Sequence, residues 1–234
     1  MGLIIAAGFT TAVALCALAV LLIRAEHRRP AALAFAIALP LQPLVFYAVR
    51  VPIDGALKAI FGLGMTVAVA SLFYAPLTEE PAKWLTAAVP AVRRAIASQP
   101  VTMALAVGLG FAIGEIWFMA HALVSQPGYP NLPAWMFGGF VLERLEVCFL
   151  HGAFVALPFS NLARGRSFWL GGLAGMALHF LLNFPILLAQ LNLFGLGNTW
   201  VPLLLLWVLG FVAACAVMTW RLARRSPAGS RRMG

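Results

Sequence analysis

The sequence predicts an all-α fold: a polytopic transmembrane helical bundle of about seven spans, N-terminus outside and C-terminus in the cytoplasm. Three observations predict it. The chain is 63% hydrophobic and only 10% charged, with a mean hydropathy of +0.96, where an ordinary soluble domain carries about 25% charged residues. Apolar runs recur along the whole chain. The connections between those runs alternate between basic and nearly uncharged.

The runs are 3–23, 32–50, 59–88, 101–124, 134–160, 168–190 and 200–220. At about 1.5 Å per helical residue, each can cross a hydrocarbon core of about 30 Å. Run 3–23 has no preceding basic residue and is followed by Arg24, Arg28 and Arg29. A cleaved signal peptide has the opposite polarity, so the run is read as a retained first helix. Run 59–88 exceeds one straight span and contains Pro76 and Pro81. Pro81 removes a backbone donor and frees the Leu77 carbonyl beside Glu79 and Glu80. Irregular backbone at that depth belongs beside a wet cavity or inside protein.

Arg24, Arg28, Arg29, Arg93, Arg94, Arg164, Arg166 and the C-terminal arginines fall on one side. Opposite them lie only Arg50, Lys58 and Asp54, with two uncharged connections, 125–133 and 191–199. The positive-inside rule makes the first side cytoplasmic. The same placement accounts for the net charge of +9 without a nucleic-acid partner. Residues 1–220 are expected to form one integral membrane domain, and 221–234 a basic, disordered cytoplasmic tail drawn to anionic lipid. The expected location is a cell membrane, multi-pass, of the bacterial plasma membrane kind. Cys16, Cys148 and Cys215 show neither metal-ligand nor disulfide spacing and read as buried thiols.

Against this background the intramembrane polar residues are costly, at about 2.5–3.5 kcal/mol per charge on insertion scales, and their default reading is functional. They form Glu79-Glu80-x-x-Lys83, Phe111-x-x-x-Glu115, His151, and His179-x-x-x-Asn183. Counted along their helices, Glu79 and Glu80 lie roughly 13 Å from the cytoplasmic edge, Glu115 roughly 21 Å, and His179 and Asn183 roughly 16–22 Å. His151 lies about 25 Å from the outer edge, again in the inner half. Four helices thus bring polar groups to one slab, while His121 falls at the outer surface.

Each group has a structural reading beside the functional one. Glu79 and Lys83 are four apart and can pair along one helix, or one carboxylate can serve as a base for water while its neighbour tunes it. His179 and Asn183 share a face and can donate to an oxyanion, or simply join helices. Gly108, Gly110 and Gly114 around Phe111 and Glu115 suit close helix approach rather than nucleotide binding. Glu143, Arg144 and Glu146 read as a structural ion-pair cluster nearer the outer surface, with His151 on the face of Glu143 and Arg144.

In this order on successive spans, these motifs resemble the PrsW-type intramembrane proteases. Those proteases look like one branch of the wider group of CAAX prenyl endopeptidases and bacteriocin-processing membrane proteins. The likeness covers about residues 72–185. It implies a metal-independent endopeptidase without cofactors, acting on a membrane protein or peptide. Glu79 would activate water beside Glu80, His179 and Asn183 would hold the oxyanion, and Lys83 would orient or neutralise a glutamate. The prenyl-endopeptidase branch ends its second motif in His; here Glu115 stands there. Either Glu115 shares a proton with Glu79 or His151 supplies the imidazole. The expected cavity opens to the cytoplasmic side. Serine, zincin and aspartyl mechanisms lack their motifs. A proton-coupled transporter, a metal-dependent membrane hydrolase and a non-catalytic scaffold remain as alternatives.

Overall fold

The computed structural model describes residues 1–62 and 65–225. Among them the regular structure is entirely helical. The helices are α1 (Gly2–Arg24), α2 (Arg28–Ala38), α3 (Leu41–Val45), α4 (Val51–Phe61), α5 (Met65–Trp84), α6 (Pro90–Ser98), α7 (Pro100–Val124), α8 (Gly138–Ala163), α9 (Phe168–Gln190) and α10 (Trp200–Arg224). Among the described residues, five stretches are long and apolar enough to cross a membrane: Gly2–Arg24, Arg28–Phe61, Pro100–Val124, Phe168–Gln190 and Gly197–Arg224. The remaining long helices, α5 and α8, carry Glu79, Glu80 and Lys83, and Glu143, Arg144 and Glu146.

The centre of the bundle is the α7–α8 pair. Phe111, Met103 and Val107 of α7 pack with Val155 and Phe159 of α8 and with the small residues Ala31, Ala34 and Ala38 of α2. The small residues explain the closeness. A Cβ on Gly110 would strike the Phe35 carbonyl, and one on Gly114 the Leu39 carbonyl. Where α7 crosses α8, Gly108 meets the backbone of Gly152 and His151. Glycine is required here by contact between main chains. The outer faces are apolar: Ile5, Phe9, Leu206 and Val201 are exposed, as a hydrocarbon solvent demands.

Several boundaries differ from the sequence reading. The stretch expected as a span over 32–50 followed by a charged connection is helical to Phe61, interrupted only at Leu39–Pro40. Residues Phe46–Arg50 form a π-helical turn. Pro52 cannot donate to the Ala48 carbonyl and its ring crowds that oxygen, which opens the turn ahead of it. Arg50 and Asp54 therefore lie on helix rather than in a loop. The run 59–88 divides: α4 stops at Gly62, with φ of 73°, and α5 begins at Met65. Residues 134–137 are a 3-10 turn, so α8 starts at Gly138. The expected disordered tail begins as helix, since α10 continues to Arg224; residues 226–234 lie outside the described residues. Of the three cysteines, Cys148 and Cys215 are buried but Cys16 is exposed, on the outer face of α1.

Candidate functional site

The site begins with two adjacent acids near the end of α5. Neighbouring helical residues point roughly 100° apart, and the two carboxylates go to different places. Glu79 faces a cavity and accepts a hydrogen bond on Oε1 from Arg50 Nη1, at 2.8 Å. Glu80 turns inward and is 0% exposed. Its Oε1 accepts from Lys83 Nζ at 2.6 Å and meets His179 Nδ1 at 2.8 Å. Its Oε2 is buried without a partner. The expected Glu79–Lys83 pair is therefore replaced by Glu80–Lys83. Spacings of three and four both bring side chains together on a helix, and here the buried acid takes the buried ammonium.

Lys83, also 0% exposed, reaches across to α8. Its Nζ lies 2.9 Å from His151 Nδ1 and 4.8 Å from the centroid of the Phe111 ring. An ammonium only donates, so His151 Nδ1 accepts and the ring proton of neutral His151 sits on Nε2. That nitrogen is 2.8 Å from Glu115 Oε2 on α7. Glu115 Oε1 accepts from Arg144 Nη1 at 2.9 Å, and Arg144 Nη2 donates to Glu143 at 2.6 Å. A hydrogen-bonded chain thus runs His179–Glu80–Lys83–His151–Glu115–Arg144–Glu143 through α9, α5, α8 and α7. Each of these three carboxylates has its own cation: Arg50 for Glu79, Lys83 for Glu80, Arg144 for Glu115.

Aromatic contacts hold the imidazoles. The Phe154 ring stacks on His179 with centroids 5.5 Å apart, and Phe111 meets His151 edge-on at 5.0 Å. The Gly108–Gly152 crossing sets α7 and α8 close enough for the His151–Glu115 bond.

The cavity has a volume of about 180 Å³. Its wall on α8 runs from Glu143 to Phe154, and on α9 from His179 through Asn183 to Ile186. It therefore extends toward the N-terminal end of α8 and the C-terminal end of α9. That is the face of the sparsely charged connections, not the basic face expected from sequence. The sealed Glu80–Lys83–His151–His179 cluster closes the basic side. Glu143, with its side chain 57% exposed, stands at the open end.

The structure brings Glu79, Glu115, His151, His179 and Asn183 to this one cavity and leaves Glu80 and Lys83 behind its wall. Glu115 is bonded to Arg144 and His151, and no Glu115–Glu79 hydrogen bond is seen among the described residues. Both nitrogens of His151 are engaged, which leaves it no lone pair for taking a proton from water. Either expected assistant to Glu79 is thus committed elsewhere in this conformation. His179 has one nitrogen tied to Glu80 and the other available to the cavity. With Glu80 ionised, Nδ1 carries the proton, so His179 donates into the cavity through Nε2 only as an imidazolium. Asn183, one turn on, lines the same wall. His121 is exposed and remote. Among the described residues no three His, Cys, Asp or Glu side chains are grouped to hold a metal ion.

Two participants escape the sequence reading. Arg50 reads there as an outer-loop charge, with no motif to mark it. Arg144 falls on the face of His151 but reads as part of a peripheral ion-pair cluster. Its position seven residues before an intramembrane histidine is the available signal. Comparison with family models, curated proteins and solved structures finds no match for the chain.

Proposed function

We propose that the chain is a glutamate-dependent intramembrane endopeptidase of the PrsW-like kind, acting on a membrane-embedded or membrane-associated protein or peptide. One observation carries the reading. Glu79 lines the cavity with its second carboxylate oxygen unbonded among the described residues, whereas both oxygens of Glu115 are engaged, and His179 and Asn183 stand on the opposing helix. In the proposed reaction Glu79 takes a proton from water as the oxygen attacks the scissile carbonyl carbon. The developing oxyanion accepts hydrogen bonds from His179 Nε2–H and the Asn183 amide. Glu80 stabilises the imidazolium. The intermediate collapses as the C–N bond breaks and the Glu79 proton passes to the leaving nitrogen, giving a carboxylic acid and an amine. Glu115, His151, Lys83 and Arg144 hold the helices that carry these groups.

Counting α5 and α8 with the five apolar stretches gives seven spans, N-out and C-in, with the basic connections cytoplasmic. The assigned location is a multi-pass plasma membrane protein of bacterial type.

The test is reconstitution with membranes from cells lacking the gene, followed by mass spectrometry of new peptide N-termini. Wild type is expected to create discrete new N-termini and Glu79→Gln none. Equal cleavage by both would remove Glu79 as the base.

The continuous chain from His179 to Glu115 favours a second reading, a proton-coupled transporter. Proteoliposomes with an internal pH dye separate the two. Proton flux lost in His151→Phe, together with no cleavage by wild type, would support transport.

A further inference from the structure

Arg50 lies outside every motif of the site, yet it is the cation bonded to Glu79 at the cavity wall. We infer that Arg50 is a positioning residue that keeps Glu79 ionised and fixes its second oxygen toward the cavity. What that carboxylate then does rests on the peptidase reading; the pairing itself does not.

The placement of Arg50 is built by the local chain. The π turn Phe46–Arg50 inserts one residue, which rotates the remainder of the helix by roughly 100°. Arg50 ends that turn, and the turn packs against α5, which carries Glu79. The guanidinium is then held on three sides. Phe46 lies 5.5 Å and Tyr74 5.6 Å from its carbon, ring centroid to Cζ, and Glu79 closes the third side. Tyr74 donates its hydroxyl hydrogen bond to Asp54, one turn beyond Arg50. This ties α5 to α4 beside the pair. The rings cover part of the guanidinium, whose side chain is 20% exposed, and a partly dried pair attracts more strongly than one in bulk water.

Besides Arg50, the charged or titratable groups around Glu79 are Glu80 and Lys83 on its own helix, Glu115 on α7, His179 on α9 and, lining the same cavity, Glu143, Arg144 and Glu146 on α8. Lys83 is committed to Glu80 and Glu115 to Arg144. His179 gives its Nδ1 to Glu80. Among the described residues, Arg50 is the cation at hydrogen-bond distance from Glu79. A guanidinium stays charged at any pH a protein survives and binds in the plane of a carboxylate. It therefore both neutralises Glu79 and sets the direction of the free oxygen, which a mobile ammonium cannot do equally well.

The experiment is infrared difference spectroscopy of the full chain in lipid nanodiscs at neutral pH, with no substrate. Glu79→Gln defines the Glu79 signal in wild type as the loss of one ionised carboxylate band. In Arg50→Met the same band is expected to be replaced by a protonated carboxyl band, absent from the Arg50→Met/Glu79→Gln double variant. Arg50→Lys is expected to keep the ionised band with an altered splitting. If Arg50→Met does not fold, Arg50→Gln carries the same expectation, since it keeps a hydrogen-bonding head without charge. An ionised Glu79 band of unchanged intensity and position in the folded neutral variant overturns the role. Because the readout needs no cleavage, that result sinks this inference alone. The expected band replacement in a protein that cleaves nothing sinks the peptidase reading alone.

Discussion

Glu79 and Glu80 are consecutive residues with the same side chain, yet they occupy opposite kinds of surroundings. Glu80 is fully enclosed, shares one oxygen between an ammonium and an imidazole, and sits in a chain of bonds linking four helices. Glu79, itself 6% exposed, lines the cavity and is held by one guanidinium whose own side chain is 20% exposed. The difference teaches that burying acids in a membrane protein serves two ends. One carboxylate acts as a joint between helices. The other is kept accessible at the edge of the joint, where chemistry with water is possible. A turn of roughly 100° about the helix is all that separates them.

The sharpest way to break this contrast is to attack the joint. Lys83→Met strips Glu80 of its ammonium, leaving it only His179, and leaves His151 Nδ1 without its donor; removing one partner of a buried pair costs about 3–5 kcal/mol. A large fall in melting temperature in detergent is expected, and unchanged stability would mean that Glu80 is not a structural acid. Next comes Glu79→Gln, for which cleavage should fall about 10²–10⁴-fold while melting changes by less than about 1 kcal/mol. A melting loss equal to that of Lys83→Met would erase the distinction between the two acids. Asn183→Ala removes one proposed oxyanion donor, and a loss in turnover of about 10²–10³-fold is expected with substrate affinity little altered; kinetics on a cleaved peptide check it. The smallest effect belongs to Glu143→Gln. Its carboxylate is mostly exposed, and an exposed pair contributes about 0–1 kcal/mol, so both melting and cleavage should stay near wild type. Incubation with a strong chelator adds a separate check: wild-type cleavage that survives it speaks for the metal-independent chemistry proposed, and cleavage abolished by it and restored by zinc speaks for a metallohydrolase.

Much of the architecture is legible in the apolar runs, because hydrocarbon solvent imposes a length and a composition on any helix that crosses it. The positions of Glu79, Glu115, His151, His179 and Asn183 at one depth follow from counting about 1.5 Å per residue. Partner choice does not follow. Lys83 can reach back three residues or four, and only the packing of α8 against α5 puts His151 where the three-residue choice is favoured. Arg50 is hidden for a different reason. It ends an apolar run and looks like an interfacial charge, and the π turn that redirects it depends on Pro52 acting on a carbonyl four residues earlier. The open side of the cavity is equally illegible, because it depends on which end of the bundle the Lys83 cluster obstructs.

The meeting of Gly108 and Gly152 has a consequence for how this protein tolerates change. Neither glycine brings a side chain to that crossing, so the gap between two helices is dictated by main chain at one point, next to His151 on one helix and two turns before Glu115 on the other. Even one added methyl group there would act as a wedge, and its first victim would be the imidazole–carboxylate contact rather than the greasy interior around it.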